Sequence, residues 1–152
     1  MDMNIIKVYA DYIEEKTEFK DMDSSLKRNI IESVVKDCFT LLDEIQSINS
    51  MGIVFDTAKP EDLRKIGDQS VKETFKELYL KKENYEKCKD INTKYLYKTT
   101  YRLIKEVELN CPKSVIDNEI KLLSIWSLRC AGYLKDEIEK ENTEVNLDED
   151  RC

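Results

Sequence analysis

The spacing of apolar residues along the chain is helical almost from end to end. Ile5, Ile6, Val8, Tyr9, Tyr12 and Ile13 recur on one side and predict a short first helix. Asp23, Ser24 and Ser25 offer N-caps to a long second helix, because a short oxygen-bearing side chain can accept the backbone N–H groups that a helix start leaves unpaired. Its stripe is Leu26, Ile30, Ile31, Val34, Val35, Cys38, Leu41, Leu42, Ile45 and Ile48, and Gly52 breaks it. Ile53, Val54 and Phe55 read as a loop that tucks over the core. Pro60 suits the first position of a short helix, with Glu61 and Asp62 in its first turn and Gly67 as its stop.

Ser70 with Glu73 reads as a capping box for a fourth helix that uses Val71, Phe75, Leu78, Tyr79 and Tyr85 and ends near Cys88. Asn92 or Thr93 is the expected cap of a fifth, in which Tyr97, Tyr101, Ile104 and Val107 face inward until Asn110-Cys111-Pro112 stops it. Ser114 with Asp117 opens the last helix, whose stretch from Ile120 to Ala131 is the most apolar of the chain. Apolar residues there occupy more than one face, so this helix should be the one most surrounded by others, with Trp126 in the core. No segment alternates with period two. The expected fold is all-α, a single compact antiparallel bundle of about five or six helices. It should occupy residues 1–141, followed by an acidic, flexible tail at 142–152.

Composition narrows the chemistry. The 152 residues are 41% hydrophobic and 38% charged, enough for one core beneath a heavily charged surface. With three glycines a glycine-rich nucleotide loop has almost nothing to be built from, and without histidine every mechanism or metal site that needs imidazole is excluded. No cofactor is expected. The net charge is −7. Lys135–Arg151 holds eight acidic against three basic residues and so carries −5, leaving −2 for the preceding body. A near-neutral body with an acidic end argues against general nucleic-acid binding, which needs clustered Lys and Arg to neutralise phosphates. Lysine outnumbers arginine 20 to 5 and isoleucine outnumbers alanine 15 to 3, with nine asparagines, a bias that follows AT-rich codons.

The longest uncharged run, Ile45 to Phe55, is eleven residues and too polar to span a bilayer, so no membrane insertion is expected. The N-terminus lacks the basic and apolar regions of a signal peptide. A cytoplasmic protein is the first expectation, with a secreted one as the alternative if the numbering describes a mature chain. Cys38, Cys88, Cys111, Cys130 and Cys152 are widely spaced and form no C-x-x-C pair. They read either as buried thiols of a cytosolic protein or as two bridges among the first four, with Cys152 left over.

A cysteine nucleophile would lack its usual base; Cys111, near a helix start, is the best thiol candidate. Asp21, Asp23, Ser25 and Glu32 fall in a calcium-loop frame, but Leu26 stands where the sharp turn needs glycine, and the match is rejected. The sharpest feature lies on the fifth helix. Lys94, Lys98, Arg102 and Lys105 recur every three or four residues with no acid between Lys94 and Lys105, so helical geometry puts them in one row, with Tyr97 and Tyr101 interleaved. These six residues are the candidate partner-binding surface.

The expectation is a non-enzymatic helical bundle that binds a macromolecular partner, a protein, in the manner of a virus- or pathogen-encoded host-interaction protein. The alternative is a secreted, disulfide-stabilised helical protein that sequesters a small apolar ligand or host factor.

Overall fold

The computed structural model describes residues 2–135. They form five α-helices: α1 (Met3–Lys16), α2 (Ser24–Ser50), α3 (Gln69–Asn84), α4 (Ile91–Glu108) and α5 (Lys113–Cys130). Short 3-10 segments lie at Phe55–Thr57, Pro60–Lys65 and Tyr85–Lys87. Among the described residues there is no strand, only an isolated bridge between Phe19 and Leu134. The all-α bundle is as expected, and the short helix foreseen at Pro60 is present as a 3-10 turn. The acidic stretch 142–152 falls outside the described residues.

Aspartate starts four of the five helices. Its carboxylate accepts the N–H of Asn4 from Asp2, of Leu26 from Asp23, of Ser70 and Val71 from Asp68, and of Asn92 from Asp90. A carboxylate at this position both satisfies an orphan donor and meets the positive end of the helix dipole. Two caps read from the sequence therefore move upstream: Asp68 replaces the Ser70 box and Asp90 replaces Asn92 or Thr93. Ser70 is then free to donate to Glu44 on α2, and Thr93 donates to Asp90 at 2.6 Å. The expected Ser114 cap is also displaced; α5 starts after Pro112, which makes no side-chain cap bond.

The long α2 is the spine, and its 27 residues span roughly 40 Å. Ile31, Val35, Cys38, Leu42, Ile45 and Ile48 line its buried face. It packs against α1, α3, α4 and α5, while α5 packs against α4, α2 and α1. The apolar α5 has the largest share of buried residues of the five helices, with Ile120, Leu123, Ser124, Ile125, Trp126 and Leu128 all buried. Ile53 and Phe55 tuck beneath the connection between α2 and α3, and Val54 between them points outward. Phe55 is held there by its N–H, which donates to Glu108 of α4 at 2.9 Å, and by Lys82, which donates to its carbonyl at 2.9 Å.

Three stripe residues are on the wrong face. Ile5, Val8 and Leu26 are exposed, Val8 at 62% and Leu26 at 52%. Val8 is two positions from the buried Ile6, and Leu26 is five from the buried Ile31; both offsets point well away from the core at 100° per residue. At that end α1 is docked onto α2 by charge instead. The Arg28 guanidinium reaches Asp11 at 2.7 Å, Glu14 at 3.1 Å and Glu32 at 2.8 Å.

The α4–α5 hairpin is closed by Asn110, whose φ of 55° places it in the left-handed region while the Cys111 N–H reaches back to the Glu106 carbonyl at 2.9 Å. Gly132 at φ 84° makes the same kind of stop after α5, with the Tyr133 N–H on the Leu128 carbonyl. The chain then crosses the α1–α2 connection, where Lys20 donates to the Tyr133 carbonyl at 2.9 Å and Lys135 to that of Glu18 at 2.8 Å.

Candidate functional site

The antiparallel packing of α4 on α5 positions the cationic row. Tyr95, near the start of α4, stacks on Trp126, near the end of α5, at 5.0 Å between centroids and 20° between planes. Thr99, Thr100, Leu103, Ile104, Glu106 and Val107 turn inward, which leaves the other edge of α4 to the cations. Lys94 and Lys105 are exposed and Lys98 is half-buried. Burial pushes the Lys98 ammonium below the usual lysine range, and the nearby Arg102 and Lys94 charges push it further. Lys98 therefore lies close enough to both neighbouring cations to feel their charge.

Arg102 differs from the three lysines. Its side chain is only 11% exposed and its Nε lies 3.5 Å from Oε1 of Glu119 on α5, whose side chain is wholly buried. It is a link between helices as well as a member of the row. Around it lie further buried polar groups that the sequence reading missed. Glu106 on α4 and Arg129 on α5 are both buried, and the Arg129 guanidinium sits over the Trp126 ring at 5.3 Å. The available signal was Glu119 itself, a charged residue on the stripe of Val115, Leu122 and Trp126.

The two tyrosines of the candidate surface turn towards α3. Tyr97 lies beside Lys81, whose ammonium is 5.7 Å from its ring centroid. Tyr101 packs on Tyr85 at 6.0 Å and Phe55 at 6.3 Å, and its hydroxyl donates to the Leu78 carbonyl at 3.5 Å. Burial raises the Tyr101 phenol well above the ordinary tyrosine range. Lys94 lies over the Tyr85 ring at 5.7 Å, so one aromatic face does border the row. The structure thus gathers Lys94, Lys98 and Arg102 and sets Tyr97 and Tyr101 into the flank of the bundle.

A separate groove of about 180 Å³ opens between α2, α4 and α5, lined by Val34, Asp37, Cys38, Leu41, Lys81, Leu96, Thr100, Leu123 and Ser127. Its Cys38 thiol is pushed up to about 11 by burial, against hydrogen bonds with Ser124 and Ser127 that act the other way. Such a thiol stays protonated at neutral pH and is a poor nucleophile. Cys88 and Cys130 are also free, and Cys111, the thiol candidate of the sequence, is disulfide-bonded. Among the described residues no helix is long and apolar enough to cross a membrane.

No protein-family model, no curated protein and no solved structure matches the chain.

Proposed function

We propose that this chain is a non-enzymatic helical-bundle protein that binds a protein partner along the cationic edge of α4, and that the partner presents an acidic segment there. The observation that carries the reading is the crowding of Lys94, Lys98 and Arg102, with Lys105 one turn beyond, on a chain whose net charge is −7. A row of cations attracts an anionic segment, and such complementarity steers encounter as well as orientation.

Two further observations support binding over catalysis or small-molecule capture. The most enclosed thiol, Cys38, is held protonated. The groove above it, at about 180 Å³, is smaller than the roughly 300–1,000 Å³ of ordinary ligand sites. Size, fold and the lysine- and isoleucine-rich composition suit a virus- or pathogen-encoded host-interaction protein. Three free thiols, with Cys130 exposed, favour the cytoplasm. The Cys111 disulfide is the one observation that favours the second reading, a secreted helical protein stapled by a bridge.

The test is fluorescence anisotropy of a short labelled peptide of Glu and Leu added to the full chain in dithiothreitol. Binding should weaken steeply as salt rises and should vanish in Lys94→Glu/Lys98→Glu/Lys105→Glu, while the melting temperature of that variant stays near that of the parent. Binding that survives the triple change, or none at all with the parent, would overturn the proposal.

A further inference from the structure

Two free thiols meet where α4 begins and α5 ends. The contacts of Tyr95 with Trp126 and of Arg102 with Glu119 fix the antiparallel register of these helices. One turn beyond Tyr95, that register brings Cys130, the last residue of α5, beside the first turn of α4. Cys88 follows the 3-10 turn that leads into the same helix. Its thiol donates to the Asp90 carbonyl at 3.5 Å, and the Asp90 carboxylate accepts the Thr93 hydroxyl at 2.6 Å. A further hydrogen bond joins Thr93 to the Cys130 thiol. Asp90 and Thr93 thus hold one thiol on either side.

We propose that Cys88 and Cys130 are a redox modification site, oxidised by a low-molecular-weight disulfide such as glutathione disulfide to a bridge that fastens the turn before α4 to the end of α5. This inference goes beyond the partner reading and does not depend on it.

Access and surroundings single out this pair among the described cysteines. Cys38 is buried and Cys111 is already disulfide-bonded, whereas Cys130 is exposed and Cys88 half-buried, so a reagent in solution reaches both. A disulfide needs its two Cβ atoms within about 3.5–4.5 Å of each other. Closure therefore draws the turn at Cys88 onto the end of α5 and exchanges two thiol hydrogen bonds for one covalent bond. Both thiols stand at element ends, where local opening is least costly.

The partial covering of the Cys130 thiol raises it above its ordinary range, with Asp90 acting the same way and Thr93 and the Lys81 charge acting against it. The first attack accordingly falls to Cys88. Its thiolate attacks one sulfur of glutathione disulfide, and a glutathione thiolate leaves and takes a proton. Cys130 then gives its proton to solvent, attacks the Cys88 sulfur of the mixed disulfide and expels the second glutathione. Two protein thiols are oxidised and one glutathione disulfide is reduced to two thiols.

The experiment incubates the full chain in mixtures of glutathione and its disulfide, blocks remaining thiols by alkylation and maps the peptides by mass spectrometry without reduction. Monomeric chain should yield peptides linked through Cys88 and Cys130, in a share that rises with glutathione disulfide and falls again in excess glutathione. Cys130→Ser should instead retain glutathione on Cys88. Amide exchange over residues 85–90 of the parent should slow about tenfold on oxidation. Stable glutathione adducts on both cysteines of the parent, a chain-to-chain dimer through Cys130, or a bridge from either residue to another cysteine would overturn the pairing. A Cys88–Cys130 bridge that leaves exchange over 85–90 unchanged would overturn the fastening.

Discussion

Arg102 on α4 holds its Nε 3.5 Å from the carboxylate of Glu119 on α5, a side chain that solvent does not reach at all. The pair joins the two helices that enclose Trp126 and stands at the inner margin of the cationic row. It sets Arg102 apart from the exposed Lys94 and Lys105 of the same row. Removing one partner of a buried pair leaves an uncompensated charge and costs roughly 3–5 kcal/mol. Arg102→Glu should therefore lower the denaturation midpoint severely, while replacing Arg102 and Glu119 together by Met and Leu should recover most of the loss. Urea unfolding of the single and double variants checks this; additive losses would show that the two side chains act independently.

Trp126 is fully buried, stacked on Tyr95 and covered by Arg129. Trp126→Ala should cost about 3–5 kcal/mol, as deletion of a large core side chain does. By contrast Val8→Ala and Leu26→Ala, on exposed faces, should each change stability by no more than about 0.5 kcal/mol. Thermal melts of the three variants separate the cases.

Cys38 links stability to alkaline pH. Its folded thiol is raised from the ordinary 9.0 to about 11. The unfolded thiol ionises first, so above pH 9 the unfolded state binds fewer protons and stability falls until the folded thiol ionises near pH 11. The slope is at most about 1.4 kcal/mol per pH unit. Stability measured across this window should fall less steeply in Cys38→Ala than in the parent, and native alkylation at neutral pH should spare Cys38. Burial of Tyr9 and Tyr101 raises their phenols as well, so the parent curve keeps a residual alkaline slope in that variant.

Glu108 fastens the α2–α3 connection by accepting the Phe55 N–H at 2.9 Å. Glu108→Ala should speed amide exchange at Phe55 by roughly ten- to a hundredfold, the loss of a bond to a charged group being worth about 1.5–3 kcal/mol. Exchange on α5 should stay at its parental rate.

Most of the fold was legible because it depends on period alone. Ile31, Val35, Cys38 and Leu42 repeat at helical spacing and are buried, and the apolar run around Trp126 is the enclosed helix. Val8 and Leu26 were misread because apolar character does not fix a residue's angle about the axis, and both lie away from the stripe. The caps shifted because an Asp two residues upstream competes with Ser or Asn for the N–H groups of the first turn. The site was legible as a row of cations but not as two kinds of cation. Arg102 and Lys98 stand four residues apart with similar neighbours, and only the approach of Glu119 from α5 tells them apart. Tyr97 and Tyr101 look available in the sequence; α3 and Phe55 claim them in the fold.

Partner binding at the α4 edge is tested most directly by a titration of the reduced, isotopically labelled chain with the Glu/Leu peptide, followed by nitrogen–proton NMR. Shifts should concentrate at Lys94, Lys98 and Lys105 and their neighbours on the outer edge of α4, and should shrink as salt rises. Shifts centred instead on the groove around Cys38, or on the exposed face of α1 at Ile5 and Val8, would contradict the account.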